Sequence, residues 1–194
     1  MIIGITGGIG SGKTMLASML RSKGYVVYDT DSEARRLQNS DPELIREIKN
    51  LFGDDIYVDE KLNRPAVASI VFNKPEILQK LTALVHPVVK NDILKLKNDW
   101  KHCEMVFIES AVLFEGGFDT LTDKVILVTA SEEVRISRII KRDHFNEQQI
   151  RNRMKNQIPE HIKAQRSDFI INTDNELPEN AVELIEIWKN RIIS

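Results

Sequence analysis

The chain of 194 residues has a single cysteine, Cys103, and therefore forms no internal disulfide. Disulfides accompany oxidising compartments, so their absence favours a reducing environment. The sequence also has no apolar run near the roughly 20 residues that a membrane span needs. Its first residues lack the basic region that opens a signal peptide. We therefore expect a cytoplasmic protein without a membrane anchor.

Neither sign of charge is in excess, since 27 Lys and Arg oppose 29 Asp and Glu and leave a formal charge of -2. Nucleic-acid binders usually carry a strong basic excess. We expect no nucleic-acid or membrane partner, and the sequence indicates no obligate protein partner. A length near 200 residues favours one domain with a sizeable core, here residues 1–194.

Five short apolar segments alternate with helix-like segments along the chain. The apolar segments cover residues 1–6, 25–28, 105–108, 124–129 and 168–172. Continuous apolar strands separated by helices are typical of a parallel sheet covered on both faces, so the predicted fold class is α/β with five parallel strands. Residues 32–103 exceed one crossover helix and predict a helical insertion. Pro87, inside the predicted helix 75–100, is expected to kink or divide it.

A glycine-rich segment follows the first predicted strand and opens a predicted helix. It reads GGIGSGKT from Gly7 to Thr14 and matches the pattern G-x-x-x-x-G-K-[ST]. Its glycines let backbone N–H groups approach phosphate oxygens closely. Lys13 supplies a positive charge for the outer phosphates, and the Thr14 hydroxyl suits the Mg²⁺ that accompanies a nucleoside triphosphate. This segment predicts triphosphate binding.

Carboxylates at the ends of two predicted strands favour a small-molecule kinase. A switch GTPase would need a D-x-x-G segment, which the chain lacks. Glu109 ends the third strand, where a carboxylate near Mg²⁺ belongs. Asp29 and Asp31 follow the second strand, and one of them can accept a hydroxyl proton. Spacing alone leaves a second role open for Asp31, as the cap of a helix that begins near Ser32.

Basic residues are concentrated between positions 135 and 166, where nine basic and three acidic residues give a local charge of +6. Arg135, Arg138 and Arg142 recur at the spacing of one helix face. Such a run is often only a solvated face. In a chain with a phosphate-binding loop, however, it fits a cationic lid, which we predict over residues 131–166.

Several strings taken together resemble the dephospho-CoA kinase family and cover nearly the whole chain. They are TGGIGSGKT (6–14), YDTDSEARRL (28–37), LNR (62–64), ALVHPVV (83–89), LFE (113–115), KRD (141–143) and RSDFIINTDN (166–175). The resemblance implies a P-loop kinase core with a helical CoA-binding region and a lid. It also implies transfer of the ATP γ-phosphate to the ribose 3'-hydroxyl of dephospho-CoA.

The resemblance also implies roles for individual residues. Asp31 takes the position of the catalytic base, and Arg142 that of the lid arginine that acts beside Lys13. Asp29, Arg64, His86 and Glu115 are expected to bind the acceptor. A lone His before Pro is more often a packed or capping residue, and it is the resemblance that places His86 near the acceptor. The expected ATP-binding residues are Gly8, Gly10, Ser11, Gly12, Lys13, Thr14, Met15, Arg138, Arg142 and Asn172, and the expected Mg²⁺ ligands are Thr14 and Glu109. Two alternatives are another P-loop kinase, acting on a nucleoside, nucleotide or shikimate-like acceptor, and a regulatory ATPase.

Overall fold

The computed structural model describes residues 1–72, 74–143, 146–155, 157–175 and 177–193, which form two compact units. The first unit comprises residues 1–29 and 102–194, and the second comprises residues 30–101. The predicted insertion, 32–103, differs from the second unit by two residues at each end. The assignment of residues 1–194 to one domain stays a prediction.

The helices and strands alternate along the chain. In order they are β1 (Ile2–Thr6), α1 (Lys13–Ser22), β2 (Val26–Asp29), α2 (Thr30–Ser40), α3 (Pro42–Phe52), β3 (Tyr57–Val58), β4 (Lys61–Leu62), α4 (Arg64–Phe72), α5 (Pro75–Leu96), β5 (Val106–Glu109), β6 (Lys124–Thr129), α6 (Glu132–Asp143), α7 (Glu147–Lys155), α8 (Glu160–Gln165), β7 (Phe169–Asn172) and α9 (Ala181–Ile193).

The first unit is built on a five-stranded parallel sheet with the strand order β2-β5-β1-β6-β7. All five predicted strands are present, and their boundaries differ from the prediction by one residue at most. The α/β fold class is confirmed. Because the strands are parallel, their carboxyl ends lie along one edge of the sheet, where open α/β proteins bind ligands.

The core of this unit lies between the sheet and helices that include α1 and α9. Ile3, Ile5, Leu16 and Phe107 have no solvent exposure. The Phe107 ring also meets the Tyr25 ring edge to face, with 5.6 Å between centroids. Burial of this apolar surface, at roughly 25 cal/mol per Å², fixes β1 and α1 and hence the loop between them.

The second unit contains α2, α3, α4 and α5 with the short antiparallel pair β3–β4. Asp41 caps α3, since its side chain accepts a hydrogen bond from the Leu44 N–H at 2.9 Å. Pro87 does not divide α5, which continues from Pro75 to Leu96. A stripe of buried residues on both sides of the proline stabilises the helix by packing, which offsets the hydrogen bond that proline removes. The stripe consists of Leu81, Val85, Val89 and Ile93.

The predicted lid region, residues 131–166, contains α6, α7 and α8. Residues 144, 145 and 156 of that region lie outside the described residues. Among the helices of the described ranges, none has the length and apolar character that crossing a bilayer requires.

Candidate active site

The phosphate-binding loop, residues 7–14, connects β1 to α1. Gly10 and Gly12 adopt φ angles of 82° and 98°, a left-handed backbone that side chains disfavour. Gly12 is the N-cap of α1, and the first turn of α1 contains no acidic residue. The amino end of this helix therefore offers N–H groups and a positive dipole to an anion.

Lys13 folds back over the loop that it follows. Its Nζ donates hydrogen bonds to the carbonyl oxygens of Gly7 at 2.8 Å and Gly8 at 3.1 Å. The side chain is largely buried, so its charge is held close to the loop backbone. Beside it, Ser11 is buried, whereas Met15 is 56% exposed on the first turn of α1. The loop thus carries a positioned cation.

Glu109 lies beside the loop because β5 and β1 are neighbours in the sheet, with Glu109 in register with Ile5. The Thr14 hydroxyl donates to Glu109 Oε1 at 3.1 Å. Glu109 is only 6% exposed, and its Oε2 atom is buried without a hydrogen-bond partner. A buried carboxylate oxygen beside a hydroxyl fits the oxygen ligands that Mg²⁺ prefers.

Asp29, at the end of β2, is in register with Glu109. Burial raises the pKa of Glu109, and the negative charge of Asp29 raises it further, whereas the Thr14 hydrogen bond and Lys13 lower it. Within the described ranges, no group of three or more His, Cys, Asp and Glu side chains is arranged to hold a metal. Mg²⁺ usually keeps several water ligands and takes substrate phosphate oxygens, so its binding does not require such a group.

The three arginines of α6 have different environments, although the sequence predicted one common face. Arg135 is 8% exposed, and its Nε donates to the Ile9 carbonyl at 3.0 Å. Arg138 donates to the hydroxyl of Thr173 at 2.9 Å and to its carbonyl at 2.5 Å. Arg142 is exposed in the last turn of the helix. Of the three, Arg142 extends furthest into solvent.

The segment after β7 also contacts the phosphate-binding loop. The Thr173 hydroxyl donates to the Ser11 carbonyl at 2.8 Å. Asn172 is exposed at the end of β7, and its Nδ2 donates to Asp174 at 3.2 Å. Asp174 accepts from the Ser131 N–H at 2.6 Å, and that bond lowers the pKa of Asp174. These contacts fix the segment in which the resemblance places adenine-binding residues.

Glu115 is bound to the region around α8. Its Oε1 accepts from the Ile158 N–H at 2.9 Å and lies 3.2 Å from the Nζ of Lys163. Lys163 is 1% exposed and also donates to the Ala111 carbonyl at 3.2 Å. Acceptor binding by Glu115 stays a prediction.

In the second unit, Asp31 lies in the first turn of α2, which begins one residue earlier at Thr30. A carboxylate in a first turn interacts favourably with the helix dipole. His86, on α5, is half-buried, and its burial lowers its pKa. The charge of Lys90 lowers that pKa further, while Asp31 raises it. Asp31 and His86 are therefore near enough to interact electrostatically.

Arg64, in the same unit, is oriented by α2. Its guanidinium donates to the Gln38 side chain at 2.9 Å and to the Arg35 carbonyl at 3.2 Å. Burial and the positive charge of Arg35 both lower the pKa of Arg64. Two neighbouring cations on the second unit suit an anionic ligand, since a guanidinium fork matches phosphate oxygens.

Sequence reasoning missed several residues around the loop. Arg135 and Lys163 were counted in the basic run, but no pattern marked them as buried. Gln157 had no sequence signal at all. In the second unit, Arg35, whose carbonyl orients Arg64, lies within the YDTDSEARRL string (28–37), which was a usable signal.

A glycine-rich loop that presents helix N–H groups and a lysine, next to a buried carboxylate on the adjacent strand, is the arrangement that P-loop nucleotide-binding proteins share, the P-loop kinases among them. Shikimate kinase from Acinetobacter baumannii shares this fold, with a TM-score of 0.54, 18% identity and coverage of 99% of this chain and 92% of that one.

A family model described as dephospho-CoA kinase matches residues 1–179. Dephospho-CoA kinase from Chlorobaculum tepidum is 34% identical over 200 residues, which cover 98% of this chain and 94% of that protein. Dephospho-CoA kinase from Chlorobium luteolum is 37% identical over 180 residues, which cover 89% and 82%. A crystal structure of a Thermus thermophilus protein has a TM-score of 0.78 and 34% identity, covering 100% of this chain and 96% of that one. The chain belongs to the dephospho-CoA kinase family and is an ATP-dependent kinase.

Proposed function

We propose that this protein transfers the γ-phosphoryl group of ATP to the ribose 3'-hydroxyl of dephospho-CoA. The 3'-oxygen forms a bond to the γ-phosphorus, the bond from that phosphorus to the β–γ bridging oxygen breaks, and ADP leaves with the electron pair. The family match over residues 1–179 carries this proposal. The paired Thr14 and Glu109 beside the loop support it, because phosphoryl transfer needs an oxygen-rich site next to the triphosphate.

Lys13 and the loop amides would hold the outer phosphates of ATP in place. Thr14 and Glu109 would hold Mg²⁺, which neutralises charge on the phosphate oxygens when bound. Arg142, exposed at the end of α6, and Arg138, nearer the loop, would stabilise the negative charge of the transferring group. Asn172 would lie near the adenine, with Met15 beside the phosphates.

Asp31 would accept the proton of the acceptor hydroxyl as the new bond to phosphorus forms. Only one residue separates it along the chain from Asp29, which lies beside Glu109. Arg64 would bind an acceptor phosphate, and His86, Asp29 and Glu115 would position the acceptor. A cytoplasmic location without nucleic-acid or membrane partners is part of this proposal, supported by the single cysteine and the balanced charge.

A phosphorylation assay with radiolabelled ATP tests the proposal across a panel of acceptors: dephospho-CoA, adenosine, AMP and shikimate. We expect transfer to dephospho-CoA at a kcat/KM at least about a hundredfold above the other three, since hydrogen-bonding sites discriminate strongly against incomplete ligands. Transfer to another acceptor without transfer to dephospho-CoA would refute the substrate assignment.

A further inference from the structure

We propose that Arg135 and Gln157 are positioning residues that hold the phosphate-binding loop in its working shape by binding both polar backbone groups of Ile9. Ile9 lies at the middle of the glycine-rich stretch, where the backbone has most freedom. The inference rests on the proposed role of this loop in holding ATP. The contacts to Ile9 explain why the loop already has the shape that triphosphate binding requires.

Gln157 binds the N–H group of Ile9. That N–H donates to Gln157 Oε1 at 3.1 Å, and Gln157 Nε2 donates in turn to the Ala111 carbonyl at 3.4 Å. Ala111 follows Glu109 by two residues. One amide side chain therefore links the loop to the segment after β5, because it carries an acceptor and a donor on one planar group.

Arg135 binds the carbonyl group of Ile9 through its Nε, at 3.0 Å. Its guanidinium lies so close to the loop that a Cβ added at Gly8 would stand 2.3 Å from Arg135 Nη2. Arg135 Nη1 pairs with Glu160 Oε2 at 2.5 Å, and the Thr129 hydroxyl donates to Glu160. The guanidinium of this buried arginine thus orients the loop through Nε and binds the Glu160 carboxylate through Nη1.

The Ile9 side chain is held as well, because it packs against a small buried cluster formed by α6 and α7. The cluster contains Ile136, Ile139 and Ile150, with Met154 at its border. A Cβ at Gly10 would lie 2.7 Å from the Arg135 carbonyl, so α6 contacts the loop backbone directly. Contacts on three sides of Ile9 order the loop before ATP binds, which lowers the entropy cost of binding and aligns its N–H groups.

A positioning role and a phosphate-binding role for Arg135 predict different results for Arg135→Lys. Lysine keeps the positive charge but loses the planar fork, so a phosphate contact would largely survive whereas the shared contact to Ile9 and Glu160 would not. Gln157→Leu removes both hydrogen bonds of the side-chain amide and keeps a side chain of similar size. The matched controls are Arg151→Lys and Gln148→Leu on α7. Gln148 is exposed, the Arg151 side chain is 43% exposed, and among the described residues their bonds go to side chains of α6 and α7.

Hydrogen exchange in the nucleotide-free protein tests the contact without reference to activity. We expect the amides of residues 7–12 to exchange about tenfold faster in Arg135→Lys and Gln157→Leu, because a lost hydrogen bond lowers local protection. The two α7 controls are expected to exchange like the wild type. Unchanged exchange in both loop-contacting variants would overturn the inference, even if the kinase assignment stands.

Steady-state kinetics test whether this order serves catalysis. We expect Arg135→Lys and Gln157→Leu to lower kcat about tenfold, with KM for dephospho-CoA within about twofold, since only the phosphate-binding side is disturbed. Normal kcat despite faster exchange would also overturn the proposal. Thermal unfolding monitors folding of each variant.

Gln157→Glu keeps the inference testable if the leucine variant fails to fold. The neutral carboxyl can accept from Ile9 and donate to Ala111, whereas the carboxylate cannot donate. The introduced carboxyl is ionised at neutral pH, since its ordinary pKa is about 4.3, so this variant keeps the hydrogen bond from the Ile9 N–H and loses the one to the Ala111 carbonyl. We therefore expect the amides of residues 7–12 to exchange about threefold faster than in the wild type, at pH 7. Wild-type exchange in Gln157→Glu would contradict the two-bond role of Gln157.

Discussion

Replacement of Glu109 by glutamine separates the catalytic and the structural consequences of one buried carboxylate. Glu109 Oε1 accepts a hydrogen bond from the Thr14 hydroxyl, and Glu109 Oε2 is buried without a hydrogen-bond partner. Burial, followed by the charge of Asp29, raises the pKa of Glu109. The carboxylate is therefore costly in the nucleotide-free protein, and its proposed benefit appears only when Mg²⁺ and ATP are bound.

For catalysis, Glu109→Gln removes a full charge beside the triphosphate. Losing one electrostatic contact of this kind typically costs about 3 to 4 kcal/mol, so kcat is expected to fall about 100- to 1000-fold. For stability, the neutral amide avoids the extra desolvation of a charged group, a gain of about 1 kcal/mol. In a chain of this size that gain raises the unfolding midpoint by about 2 to 4 °C.

The stability gain also has a defined pH dependence. Because the folded-state pKa of Glu109 lies above its unfolded value, ionisation of Glu109 destabilises the wild type as pH rises through the folded pKa. The advantage of the variant is thus full at neutral pH and disappears below the unfolded pKa of roughly 4.3.

Thermal unfolding between pH 4 and 8, together with steady-state kinetics at saturating ATP, measures both effects. Glu60→Gln, which changes an exposed acid in the turn between β3 and β4, is the matched control and is expected to alter neither quantity. A Glu109→Gln variant that is less stable than wild type at pH 7, or that keeps more than about a tenth of kcat, would refute this reasoning.

Three further predictions concern separate parts of the molecule. Asp31→Asn is expected to lower kcat at least about a hundredfold, because no base then accepts the hydroxyl proton. Titration with a fluorescent ATP analogue is expected to give nearly wild-type affinity. Undiminished turnover would eliminate Asp31 as the base. Arg64→Ala is expected to raise KM for dephospho-CoA about tenfold or more through a lost phosphate contact, with KM for ATP unchanged, whereas Arg46→Ala on the exposed face of α3 changes neither. Phe107→Ala is expected to lower the free energy of unfolding by about 3 to 5 kcal/mol in a denaturant titration, because its fully buried ring leaves a cavity; a loss under about 1 kcal/mol would show that the core collapses around it.

The strands and the loop were predictable because their signals are local. Continuous apolar runs of four to six residues, each followed by a helix, suffice to predict the parallel sheet. The loop is read from eight consecutive residues whose chemistry depends on the backbone between β1 and α1. The prediction that Pro87 would kink or divide the helix was made from the same local reasoning, and it failed as to division because a buried stripe on both sides of the proline stabilises α5.

Residues that act through distant partners were less predictable. Arg135, Arg138 and Arg142 share one helix face by spacing, yet only Arg142 is exposed. Arg135 is buried because the loop and Glu160, 126 and 25 residues away along the chain, both bind it. Helical periodicity shows on which face of a helix a side chain lies, but not which segments of the chain pack against that face.

The sequence alone determined the fold class, the phosphate-binding loop and the kinase family, since these depend on short motifs and on the order of apolar segments. Only the tertiary structure decided that Glu109 has a buried, unpartnered oxygen beside Thr14, and that Arg135 and Gln157 bind the Ile9 backbone. The physical reason is that a hydrogen bond or a buried charge depends on distances between segments remote in sequence. Those distances are set by how the sheet and its helices pack.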